Sequence, residues 1–258
     1  MTIVTSVKVR DGLVLGTDSM TTLSNPVGFV KSYANARKLF QLNDLPVGVM
    51  THGLGNIGSR SIEGTVLEYC KQIGTNTAIA DLAEGLYQYV RPLYDAQYPN
   101  PDPQQHGLGF VIAGYSPSET MADEFEFVLP LDTGTRRINP HDDVGASWRG
   151  IAVAVTAIVK GMNPAIRQEL ITSKNIPAAD VDALSNQHGM VVVLDGMPVQ
   201  DAVEFATYIL DTTIGWAKFQ VGVASCARPL QMAVVRPNTG WEWLAQPRLY
   251  VPYTEETP

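Results

Sequence analysis

The 258-residue chain is poor in cysteine, in histidine and in charge. It holds 2 cysteines and 4 histidines. No group of these residues has the spacing of a zinc site, so a structural metal centre is not expected. Cys70 and Cys226 are far apart in sequence, and Cys70 falls on the apolar stripe of a predicted helix, which reads as a buried thiol. Only 17% of residues are charged, the formal net charge is −8, and no basic run occurs. Nucleic-acid binding draws most of its affinity from Lys and Arg on phosphates, so that class of partner is excluded. No apolar run is long enough to span a bilayer. No basic segment followed by an apolar one marks a signal peptide, so a reducing cytoplasm is the expected compartment.

What the chain does have is apolar residues, 45% of the total, enough for a sizeable core. Few charges on a chain this long suit a subunit with covered faces. No internal repeat or linker interrupts residues 1–258, so a single domain is expected, with 247–258 as a C-terminal arm.

Near the start, Ile3, Thr5, Val7 and Val9 alternate with Thr2, Val4, Ser6 and Lys8, the period of a strand. Gly12 to Asp18 continues as a second strand. Reading Arg10-Asp11-Gly12 as a three-residue hairpin loop sets Val9 opposite Leu13 and Asp18 opposite Val4. Asp18 then lies diagonally from Thr2 on one face, about 7–8 Å away. Residues 19–36 read as loop. Short strands follow at Lys38–Leu42 and Val47–Thr51, and a glycine-rich connection from His52 to Gly58 enters a helix carrying Ile62, Val66, Leu67, Cys70 and Ile73. A second helix carries Ile79, Leu82, Leu86, Val90 and Leu93, with Pro92 as a kink or an end. Strands at Leu108–Tyr115 and Glu124–Leu129 precede a third helix over about 150–172. Met190–Leu194 reads as a short strand or helix end. A fourth helix opens at Pro198, and a last hairpin joins Met232–Val235 to Trp241–Leu244. Trp241 and Trp243 read as an exposed or interface strand. Strands and helices come in separate blocks, which implies an α+β fold: two antiparallel sheets covered by helix pairs, a four-layer αββα sandwich.

Thr2 draws attention for chemistry. If Met1 is trimmed, one residue carries both a hydroxyl nucleophile and a free α-amine, and an α-amine titrates near pH ~8, suited to act as a general base. With Asp18-Ser19 closing the second strand, Lys38 opening the next, and Val47-Gly-Val-Met-Thr-His-Gly53 following, the chain resembles the proteasome β-subunit superfamily of N-terminal nucleophile hydrolases. Within it, the chain is most similar to bacterial proteasome homologues outside the standard 20S pair. The resemblance implies an αββα sandwich, Thr2 as nucleophile, Lys38 beside its hydroxyl, Asp18 paired with Lys38, and a backbone N–H of Gly53, or of His52 in a gapless alignment, as oxyanion donor. It implies no metal and no organic cofactor. The chain departs from the family at the late Asp-x-x-Ser: Asp211 stands in the aspartate's place without the serine, and Thr213 is the substitute hydroxyl. Ser147 is the nearest candidate for a mid-chain serine. The implied partners are a peptide or unfolded-protein substrate and further copies of the chain in a ring, with no nucleic acid and no membrane. A small-molecule amidase or acylase on the same threonine, and a non-catalytic ring scaffold, are the alternative expectations.

Overall fold

The computed structural model describes residues 2–25, 28–222, 225–246 and 249. The expected arm over 247–258 therefore lies, Leu249 aside, outside the described residues. The elements are, in chain order, β1 (Ile3–Val9), β2 (Gly12–Thr17), β3 (Thr21–Asn25), β4 (Gly28–Tyr33), β5 (Leu39–Gln41), β6 (Val47–Gly53), β7 (Asn56–Ile57), β8 (Arg60–Ser61), α1 (Ile62–Cys70), α2 (Ile79–Gln97), α3 (Pro103–His106), β9 (Leu108–Gly114), β10 (Asp123–Leu129), β11 (Arg136–Arg137), β12 (Gly145–Gly150), α4 (Val153–Val159), α5 (Pro164–Thr172), α6 (Ala178–His188), α7 (Val199–Phe219), β13 (Gln231–Arg236) and β14 (Gly240–Ala245).

Two five-stranded sheets form, in the orders β12-β1-β2-β13-β14 and β11-β10-β9-β6-β5, with antiparallel pairing throughout. Alternation along β1 decides which side chain meets which layer. Ile3, Val7 and Val9 pack with Ala202, Ala206 and Leu210 of α7. Val4 points the other way and joins Leu15, Leu39, Met50, Val111 and Ala233 in a core between the sheets. Beyond the second sheet, Val49, Phe110, Ile112 and Phe127 meet Val66 of α1 and Leu82, Leu86 and Val90 of α2. Helix α4 packs beside α7 through Val155, Val159 and Ile209. The layers are thus α, β, β and α, as the block order implies. No helix of the described residues is long and apolar enough to cross a membrane.

Several local expectations are corrected. The first hairpin turns on two residues, Arg10 and Asp11, with Val9 opposite Gly12 and Val4 opposite Thr17. Asp18 consequently lies beyond the end of β2, beside Ile3: its N–H donates to the Ile3 carbonyl at 3.2 Å. Residues 19–36 contain a hairpin, β3 with β4, in place of a loop. The long helix over 150–172 is two, because Gly161 takes φ +65° and Asn163-Pro164 starts α5, the Asn163 side chain accepting from Ala165 N–H at 2.8 Å. Helix α6 and strand β12 were not anticipated, and Met190–Leu194 is irregular backbone. Helix α2 runs through Pro92 to Gln97. Leu67 is exposed and off the buried stripe of α1. Trp241 and Trp243 are half-buried against the inter-sheet core.

Candidate active site

Strand ends assemble the site. Thr2 sits just before β1, Asp18 just after β2 and Lys38 just before β5, so the first sheet supplies two groups and the second sheet one. The Lys38 ammonium donates to Thr2 Oγ1 at 2.7 Å and to Asp18 Oδ1 at 2.8 Å. All three residues are buried.

Asp18 is fixed by backbone donors on both oxygens. Oδ1 also accepts from Ile3 N–H at 3.1 Å, and Oδ2 accepts from Met20 N–H at 2.9 Å and Ala227 N–H at 3.4 Å. These hydrogen bonds satisfy both oxygens of the buried side chain and offset the cost of its burial. Burial pushes the Lys38 amine below the ordinary lysine range, and the charge of Asp18 with its hydrogen bond acts against that fall. Removing either partner of such a buried pair leaves an uncompensated charge.

Thr2 is held by its backbone. Its carbonyl accepts from Ile151 N–H at 2.8 Å. The preceding residue, Gly150, closes β12 with φ +89°, and a Cβ there would lie 1.9 Å from the Thr2 carbonyl oxygen. Only glycine permits β12 to end so close to the threonine. Sequence reasoning missed this role, although Gly150 closes the segment containing Ser147.

Thr2 and Lys38 open onto a cleft of about 410 Å³. Its lining includes Met20, Thr21 and Leu23, the run from Thr51 to Asn56, and Arg37 with Glu63. Gly53 is part of this lining and takes φ +92°, where a Cβ would lie 2.1 Å from the Gly107 carbonyl oxygen. The next residue, Leu54, donates its N–H to that carbonyl at 3.0 Å. His52 also borders the cleft, but its ring packs over Gly109, and among the described residues its buried Nε2 has no hydrogen-bond partner. Burial, then the positive charge of Arg149, lowers its pKa to about 4, so the ring is neutral at neutral pH.

Three sequence candidates stand elsewhere. Asp211 of α7 makes a two-oxygen ion pair with Arg228 at 2.7 Å, largely in solvent, and it is not part of the cleft lining. Thr213 turns its hydroxyl back onto its own helix, donating to the Ile209 carbonyl at 3.0 Å. Ser147 meets Ser6, hydroxyl to hydroxyl at 2.7 Å, in a separate buried cluster. A helical position three residues on does not reach the threonine here because α7 lies on the far face of the first sheet, packed against Ile3 and Val7.

No family model matches this sequence. No curated protein matches it. Solved structures do. The chain is similar to Anbu (ancestral beta-subunit) from Yersinia bercovieri, with a TM-score of 0.59 and 12% identity, covering 95% of this chain and 87% of that one. It is similar to Anbu from Hyphomicrobium sp. strain MC1, with a TM-score of 0.59 and 11% identity over 94% and 87% of the two chains. A Gly-1 mutant of the same Hyphomicrobium protein gives 0.56 and 11% over 92% and 82%. At these identities the likeness is one of fold, the proteasome-like sandwich of two antiparallel sheets between helices.

Proposed function

We propose that the chain hydrolyses amide bonds as a threonine-type peptidase, with Thr2 as its N-terminal nucleophile after removal of Met1. The observation that carries this reading is the Lys38 ammonium, 2.7 Å from the Thr2 hydroxyl and 2.8 Å from Asp18, beside a cleft.

In the encoded chain the Thr2 nitrogen is an amide. Removal of Met1 makes it an amine, able to accept the hydroxyl proton directly or through one water. Thr2 Oγ1 then bonds to the substrate carbonyl carbon, and the carbonyl π electrons move to oxygen. The Lys38 cation stabilises the developing alkoxide, and a backbone N–H at Gly53 or His52 receives the oxyanion, an effect usually worth ~10²–10³ in rate per donor. The C–N bond breaks as the leaving amine takes the proton. Water hydrolyses the remaining ester and regenerates the threonine. Asp18 keeps Lys38 charged and aimed.

The same reading extends to a ring of copies enclosing the cleft. Exposed apolar side chains at Ile158, Ile166, Leu184, Met190 and Val191 support covered faces on the assembled chain. Light scattering on the eluting protein tests this, and a stable monomer counts against it.

The decisive experiment is intact-mass measurement after incubation with a peptide epoxyketone, which captures a hydroxyl and its neighbouring free amine together. The expected species has lost one methionine residue and gained one probe. Thr2→Ala keeps the fold, gains no probe and loses peptide cleavage on the order of 10³-fold or more. A chain that retains Met1, or a Thr2→Ala variant with full activity, overturns the reading.

A further inference from the structure

Nucleophile and lysine come from different sheets, so the 2.7 Å between Thr2 Oγ1 and Lys38 Nζ is a distance across the sandwich. The sheets meet there through apolar side chains such as Val4, Leu15, Leu39 and Met50. Apolar burial is strong but non-directional and does not by itself fix a polar contact to a few tenths of an ångström. A directional link is needed, and one is present.

Gln231 heads β13 of the first sheet, opposite Thr17, and is fully buried. Its side chain reaches across to the segment that carries the lysine. Oε1 accepts from Lys38 N–H at 2.9 Å and from Leu39 N–H at 3.2 Å, while Nε2 donates to the Ala36 carbonyl at 2.7 Å. From the other side, the Lys38 carbonyl accepts from Thr51 N–H of β6 at 3.1 Å. The lysine backbone is therefore clamped between the two sheets. The amide's neighbour on the first sheet, Thr17, is the residue before Asp18. One short path thus joins the backbone of the carboxylate's strand to the backbone of the lysine.

We propose that Gln231 is a positioning residue for the site, setting the register at which the Lys38 ammonium meets both Thr2 and Asp18. The inference rests on the amide-hydrolase reading above. The residue type follows from the bonds: two acceptor contacts and one donor contact in one side chain require an amide. Glutamate keeps the acceptors, loses the donor and turns a carboxylate toward the Ala36 carbonyl. Methionine has similar length and keeps none of the three bonds.

The test uses the full chain with Gln231→Met and Gln231→Glu. Thr2 labelling by a peptide epoxyketone is followed against pH, and the Lys38 side chain is titrated by ¹³C NMR in the same proteins. In Gln231→Met the maximal labelling rate falls about 10–100-fold, the effect of a misplacement on the ångström scale, while half-saturation stays within about twofold. The Lys38 titration moves, and Gln231→Glu recovers part of the rate. A Gln231→Met protein with the wild-type rate, pH profile and Lys38 titration overturns the inference. If Gln231→Met does not fold, Gln231→Glu decides: a slower rate with a moved Lys38 titration supports positioning, and behaviour identical to wild type overturns it. If the wild type itself never labels, the hydrolase reading fails. The Lys38 titration then decides the positioning role alone, moved in the variants for support and unmoved for refutation.

Discussion

Strand β1 contributes to two buried clusters built from the same three kinds of group. At its head, Thr2 meets Lys38 and Asp18. In its middle, Ser6 bonds Glu124 and Ser147, Asn139 donates to the other oxygen of Glu124 at 2.9 Å, and the buried Lys8 stands near that carboxylate. Each has a hydroxyl, a carboxylate and a lysine amine that burial pulls down. The difference lies in where the lysine points and in what surrounds the hydroxyl. Lys38 donates to its hydroxyl, and both line a cleft. Lys8 donates to the Pro140 and His141 carbonyls, at 3.2 and 2.6 Å, and none of Ser6, Lys8, Glu124 or Ser147 lines the cleft. Chemically alike sets of side chains thus divide into a candidate active site and a structural seam. Access and donor direction separate them, and composition does not.

Exchanging the lysines is the sharpest way to break this contrast. Lys38→Met removes the cation beside Thr2 and leaves Asp18 charged and buried. The expected result is loss of Thr2 labelling by ~10²-fold or more, with destabilisation of about 3–5 kcal/mol in urea titrations. Lys8→Met leaves two carbonyls without a donor and costs roughly 1–3 kcal/mol, with labelling within about twofold of wild type. Comparable loss of labelling in both variants would merge the two clusters into one functional unit.

His52, whose ring feels the charges of Arg149, Glu126 and Lys38, gives a pH test. Its folded pKa is about 4, against 6.5 for a free side chain. Between these values the unfolded ring binds a proton and the folded ring does not. The contribution of His52 is therefore complete above pH 6.5 and is lost as pH falls toward 4, by roughly 3 kcal/mol at most. His52→Gln flattens the stability profile in this window. Glu126, held below its ordinary 4.5 by Arg149 and Arg136 despite burial, loses its share at lower pH, so the two effects separate. Identical profiles for wild type and His52→Gln between pH 4 and 6.5 would remove the ring from the account.

The layer order and the Thr2, Asp18 and Lys38 positions were readable because all three sit at ends of strands whose alternation is plain in the sequence. The loop count was wrong, and the site geometry survives that error for a physical reason. Asp18 lies past the strand end, where face alternation no longer fixes a side chain, and the Ile3 N–H draws its carboxylate back. Gln231 was not readable. It is one polar residue ahead of an apolar run, and its partners are 192 to 195 positions away. Strand β12, Gly-Ala-Ser-Trp-Arg-Gly, has no apolar alternation, because among the described residues it ends its sheet and its middle serves the seam. Helix α6 buries only Val181, so no stripe announces it.

The smallest expected effect concerns the residue that sequence resemblance drew toward the site and the structure does not. Asp211 and Arg228 are 43% and 61% exposed in their side chains, a setting in which an ion pair contributes ~1 kcal/mol or less. The pair does have one indirect connection. Arg228 follows Ala227, whose N–H reaches Asp18 and whose carbonyl accepts from Ser19 N–H at 3.2 Å. Those backbone bonds form without the Arg228 side chain, and Asp18 keeps its three shorter donors in any case. Asp211→Asn should therefore leave Thr2 labelling within about twofold and stability within ~0.5 kcal/mol. A tenfold loss of labelling with an unchanged melting temperature would restore Asp211 to the site and require the 225–230 segment to reach the cleft in the working state.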